Sequence, residues 1–135
     1  MAEIRRASRG DRDAVRRLWD EAGLGATEDQ EWTSITEGQG TTLLVAEESG
    51  EIVGAAVAAF DGWRAYIYHV AVAPSHQGKG LAKLLMAHSE SHLKALGAPR
   101  TYVLIGESNA AGFALSAAMG FEPEGDVALV KQMTK

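Results

Sequence analysis

The chain has 135 residues, no cysteine and a formal charge of −5. One α/β domain covering residues 1–135 is expected at this length, and the missing cysteine excludes disulfides, thiolate metal ligands and a thiol nucleophile. The acidic balance argues against nucleic-acid partners, and no apolar run approaches the ~20 residues of a membrane span, so a soluble cytoplasmic protein is the expected class.

Glu3 to Ala7 reads as a first strand, closed by Ser8-Arg9-Gly10. Asp11 is positioned to cap a helix reaching Ala22, with Ala14, Val15, Leu18 and Trp19 on one stripe. Gly23 and Gly25 end it. A polar stretch, 26–40, contains Trp32 and Ile35 and reads as a short helix from Asp29 to Glu37. Thr41 to Glu47 and Glu51 to Phe60 form a hairpin around Glu48-Ser49-Gly50, and Trp63 to Ala73 extends the meander. A helix follows with Leu81, Leu84, Leu85, His88, His92 and Leu96 at spacings of three and four, stopped by Gly97 and Pro99. Thr101 to Ile105 is a buried-strand pattern, and Asn109 to Met119 a small-residue helix closed by Gly120. A last strand pair is expected from Phe121 to Met133, divided near Gly125. The order is β-α-α-β-β-β-α-β-α-β-β, which predicts a mixed, mostly antiparallel sheet of six to seven strands flanked by about four helices.

The most informative stretch runs from Val70 to Ala82, where an apolar strand turns into a glycine-rich helix entry. The first N–H groups of a helix lack intrahelical acceptors, and the macrodipole adds about half a positive charge there. Gly78 and Gly80 carry no Cβ, so an anion can approach the main chain. This predicts a phosphate cradle. A Walker loop is rejected because Lys79 lies between the glycines with no Ser or Thr after it. A Rossmann fingerprint is rejected because Lys83 stands at the third glycine and the motif follows an antiparallel meander.

The remaining reading is acyl-coenzyme A, and here the chain resembles the GNAT N-acetyltransferase superfamily. The family's Q/R-x-x-G-x-G/A block, opening a helix after V-x-P, is matched by Gln77 to Ala82 after Val72-Ala73-Pro74. A second block, N-x-x-A-x-x-x-Y-x-x-x-G-F, is matched in part by Asn109 and Gly120-Phe121. The element order is also the family's. The resemblance implies an acetyl-CoA-dependent N-acetyltransferase with no metal. Gln77, Gly78, Lys79, Gly80, Leu81 and Ala82 would hold the diphosphate, main-chain groups near Val70 and Val72 would pair the pantetheine arm, and Asn109 would touch that arm or cap the last helix. Small members often pair, so a homodimer is an accompanying expectation.

Without cysteine, a ping-pong route through an acetyl-thiolate is excluded, and direct attack of an amine on the thioester in a ternary complex is the economical mechanism. The family's tyrosine acid is replaced by Ser116, whose hydroxyl is a poor proton donor or a packing residue. Simple alternation puts Tyr66, Tyr68, Val70 and Val72 on one strand face and Ile67, His69 and Ala71 on the other. Tyr66 and Tyr68 therefore become the candidates for ordering a deprotonating water, with Glu107 as another titratable group. His88 and His92 lack a third metal ligand and read as core-edge residues. Trp19 and Trp32 either frame the acceptor or belong to the core. The acceptor is a small-molecule or peptide amine. A non-catalytic acyl-CoA-binding module is the rival reading, motivated by Ser116.

Overall fold

The computed structural model describes residues 2–25 and 28–134. Met1 and the first two residues of the polar stretch 26–40 lie outside that range. In chain order the elements are β1 (Glu3–Arg6), α1 (Arg12–Glu21), α2 (Asp29–Glu37), β2 (Thr41–Glu48), β3 (Glu51–Phe60), β4 (Ala65–Val72), α3 (Leu81–Ala95), β5 (Thr101–Val103) and α4 (Ala110–Ala118). The strands form one sheet in sequence order, antiparallel throughout except for the β4–β5 pair. The mixed α/β reading holds.

Alternation assigns each strand residue to one of two cores. Leu43, Val45, Ala55 and Val57 face Val15, Leu18 and Trp19 of α1 and Trp32 of α2. Leu44, Ala46 and Ala56 face Leu81 and Leu85 of α3, and Ala58, Ala65 and Ile67 face Met86 and Leu93 further along it. Small residues let α3 approach closely: a Cβ added at Gly54 would stand 2.9 Å from Leu85 Cδ1. The β2–β3 hairpin turns on Ser49 and Gly50, both at positive φ (53° and 81°), as a two-residue connection matching strand twist requires.

Two expectations are corrected. The sheet has five strands among the described residues, not six or seven, because residues 121–134 form no ladder. Pro123 offers no N–H, and Gly125 at φ 95° breaks the extension. Beyond them Leu129 and Val130 are 92% and 93% exposed. Their β-prone side chains meet no neighbouring edge. Asp11 precedes α1 but its side chain makes no cap bond to that helix. Its carboxylate turns back instead, accepting from Arg5 Nη1 at 2.7 Å, Arg5 Nη2 at 3.1 Å and the Ser8 N–H at 2.7 Å. The Arg5 guanidinium is shared with Glu47, 2.8 Å from Nε, and ties this turn to β2. Among the described residues, no helix is long and apolar enough to cross a membrane.

Candidate active site

β4 and β5 run together only for three residues. Their register ends at Ile67 opposite Val103, and the Leu104 N–H to Ile67 carbonyl bond (3.0 Å) is the last rung. From Tyr68 to Val72, β4 keeps β3 on one side and has no β5 partner on the other. The strands part, and the free edge of β4 leads toward the entry of α3.

That entry is built from backbone. Pro74 opens a single 3₁₀ turn to His76, and the Gln77 side chain folds back to donate to the Val72 carbonyl at 3.1 Å. Gly78 and Gly80 stand at φ 79° and 81°, in the left-handed region that glycine enters without steric cost. No atom lies within 4 Å of where a Cβ would stand on either. The first bond of α3 joins the Leu84 N–H to the Gly80 carbonyl at 3.0 Å, which leaves the N–H groups of Leu81, Ala82 and Lys83 without an intrahelical acceptor. No side chain caps this terminus. Open space, uncapped donors and Lys79 alongside suit a diphosphate. Asn109 caps α4, its Oδ1 accepting from the Gly112 N–H at 2.9 Å.

The simple alternation of β4 fails at His69. Val57 pairs with Tyr68 but Ala55 pairs with Ala71, so one β3 residue faces two on β4. This is a β-bulge, and His69 takes φ 51°, a conformation that costs a side-chain-bearing residue about 1–2 kcal/mol. Tyr68 and Ala71 both belong to the α1–α2 side, whereas Val70 and Val72 pack against the α3 side. His69 is therefore not on a face with Ile67. Its ring stands edge-on to Trp19 at 5.0 Å and to Tyr68 at 5.8 Å. Its carbonyl accepts the Trp19 indole N–H at 3.0 Å.

Tyr68 and His69 wall a cavity of about 640 Å³ with Trp19, Glu28, Glu31 and Ile35. Burial holds the Tyr68 phenol above its ordinary value, so it stays protonated as a donor. Tyr66 is elsewhere: its ring stacks on Tyr102 at 5.3 Å, in the paired part of β4 and β5. Ser116 is buried near the end of α4, its carbonyl accepting the Phe121 N–H at 2.9 Å. It lies seven residues past Asn109, about 10 Å along the helix. Glu107 is exposed in the turn before α4 and lies outside the cavity lining. His92 Nε2 lies 2.8 Å from Thr42 Oγ1, a partner on β2. Trp19 is both core and cavity wall, whereas Trp32 lines a separate 340 Å³ hollow with Arg12 and Asp29, which form an ion pair. From His69 onward alternation misplaces every residue of β4: His69 and Ala71 turn to the Tyr68 side, and Val70 and Val72 turn away from it. The signal is a bulge set by tertiary contact, invisible in a strand's own pattern.

The GNAT acetyltransferase family model matches residues 6–121, and the chain belongs to that family. Over 91 residues, 67% of its length, it is 33% identical to an acetyltransferase of Pectobacterium atrosepticum. It is 32% identical over the same length to an uncharacterized N-acetyltransferase of Yersinia pestis, and the matched stretch spans 64% of either relative. Among solved structures, AAC(6')-Iy in complex with the bisubstrate analogue CoA-S-monomethyl-acetylneamine superposes with a TM-score of 0.81 over 99% of both chains, at 19% identity. The ribosomal-protein-S18-alanine N-acetyltransferase from Escherichia coli gives 0.79 over 90% of this chain and 78% of its own, at 23% identity. At those identities the likeness is one of fold.

Proposed function

We propose that residues 1–135 act as a single cytoplasmic N-acetyltransferase domain moving an acetyl group from acetyl-CoA to a primary amine, by direct attack in a ternary complex. The observation that carries this is the parting of β4 from β5 beyond Ile67, directly before the uncapped entry of α3. Bound there, acetyl-CoA supplies an activated thioester carbonyl. The chain's part is to receive the diphosphate on the N–H groups between Gln77 and Ala82, to offer the β4 edge at Val70 and Val72 to the pantetheine arm, and to seat Asn109 beside it. Ordered main-chain donors of this kind need little rearrangement to receive an anion.

The amine enters from the α1–α2 side. Among the described residues, the lining of the cavity there carries the carboxylates Glu28 and Glu31 and no Lys or Arg. That supports a cationic acceptor, and one with a second positive group over a monoamine, in keeping with AAC(6')-Iy, whose complex contains an acetylneamine analogue. A homodimer and the absence of any metal or nucleic acid remain part of the proposal.

Turnover with a panel of amines tests it. Release of the coenzyme thiol can be followed with a thiol reagent without background, because the chain has no cysteine. Thiol release that depends on an added diamine supports the reading. Ser116, standing where the family's tyrosine would, favours a second reading, an acyl-CoA-binding module. Tight coenzyme binding by calorimetry with no turnover on any amine would establish that one instead.

A further inference from the structure

The geometry points to His69 as the group that takes the proton from the incoming ammonium, presented to the acceptor cavity by the β4 bulge. This rests on the acetyl-transfer reading above and adds a residue to it.

Three observations meet at this position. The bulge turns two consecutive side chains, Tyr68 and His69, toward the cavity under α1 and α2, where an unbroken strand would offer one. His69 holds a positive φ, 51°, that a non-glycine residue adopts only when its surroundings enforce it, and such strain gathers at functional sites. Trp19 is what enforces it: the buried indole donates to the His69 carbonyl at 3.0 Å and the two rings stand at 89° to one another. The next residue, Val70, lies in the stretch of β4 that β5 leaves unpaired. Proton acceptor and thioester edge are thus neighbours on one short segment.

The groups facing His69 leave it alone in its role. Tyr68 from β4 is held protonated by burial, and α1 contributes only Trp19 to the cavity wall. Glu28 and Glu31, from the start of α2, line the same cavity, with Glu31 Oε1 accepting the Glu28 N–H at 2.8 Å. Neutral imidazole carries a nitrogen lone pair that can accept a proton. In the step, the imidazole takes one proton from the ammonium and later returns it to solvent. The freed amine nitrogen forms the C–N bond to the thioester carbon and gives up its second proton as the C–S bond breaks. The coenzyme thiolate takes up a proton, so the sum is amide, thiol and one released proton.

The test uses the full chain, acetyl-CoA and spermidine as the probe amine, with His69→Asn and His69→Gly. Asparagine tolerates the left-handed conformation and glycine relieves it, so both keep the bulge. Expected are a fall in kcat of about 100-fold or more in His69→Asn with little change in the spermidine KM, and loss of the acidic limb of the kcat/KM profile. Coenzyme affinity by calorimetry should be unchanged, and added imidazole should restore His69→Gly. A folded His69→Asn enzyme with the wild-type rate and pH profile overturns the assignment while acetyl transfer stands. A wild-type chain that binds coenzyme yet acetylates neither spermidine nor any other amine overturns both. A His69→Gly enzyme that is slow but unmoved by imidazole makes His69 a structural strut only, and also overturns it.

Discussion

Trp19 and His69 are joined twice, by an indole-to-carbonyl hydrogen bond of 3.0 Å and by edge-to-face rings 5.0 Å apart. The pair fixes the one irregular residue of β4 to the helix that roofs the cavity. Trp19→Phe keeps most of the ring but leaves the His69 carbonyl without its donor. The expected loss is about 1–3 kcal/mol of stability, read from urea unfolding. Turnover should fall further than stability alone explains, because the bulge is no longer pinned.

The cradle gives a sharper outcome. Gly80 stands at φ 81° with open space where a Cβ would go. Gly80→Val therefore does not clash with the protein; it strains the backbone and fills the approach of the diphosphate. Coenzyme affinity should fall tenfold or more, about 1.4 kcal/mol, by calorimetry. Gly80→Asn, which tolerates that conformation, should unfold later than the valine variant while also binding coenzyme weakly.

Gly54 separates packing from chemistry. An added Cβ meets Leu85 Cδ1 at 2.9 Å and the Ala71 carbonyl at 3.3 Å, and Leu85 is fully buried. Gly54→Val should cost about 1–3 kcal/mol through overpacking. Chemical denaturation reads it directly. Lowering coenzyme affinity without destabilising the fold is not an expected result at this position.

The pH dependence of stability should follow Asp11. The Arg5 guanidinium, hydrogen-bonded to it, is the main cause holding its carboxyl below the ordinary carboxylate value, against burial that opposes this; Ser8 adds to the lowering. A lowered folded pKa means the unfolded chain binds the proton first. The contribution is complete above the unfolded value, about pH 4, and is lost as pH falls through the folded one. Urea midpoints should change little from this group between pH 8 and 5 and drop below about 4. Asp11→Asn should be less stable at neutral pH and show a shallower acid drop.

The order of elements was legible because each carries a local signature. Alternation marks β2 and β3, the three-and-four spacing marks α3, and glycines at 78 and 80 mark its entry. Asn109 announced its own cap. What was not legible depends on partners distant in sequence. The bulge at His69 answers to Trp19, and alternation alone sent that imidazole to the opposite face. Asp11 carried the composition of a helix cap, but Arg5 and Ser8 claimed its carboxylate. Val127 to Met133 has the composition of a strand, yet a strand exists only where a neighbouring edge accepts it.

A final consequence comes from the three-residue union of β4 and β5. What lies past α3, the short strand and α4, hangs from the main sheet by a few rungs and side-chain packing. An extended molecule laid into the gap would act as a removable splint across it, and deuterium uptake at Tyr102 and Val103 should slow when coenzyme is present. On the proposed function, release of the spent coenzyme would require that splint to be undone, so the rate of opening between β4 and β5 should set an upper limit on turnover.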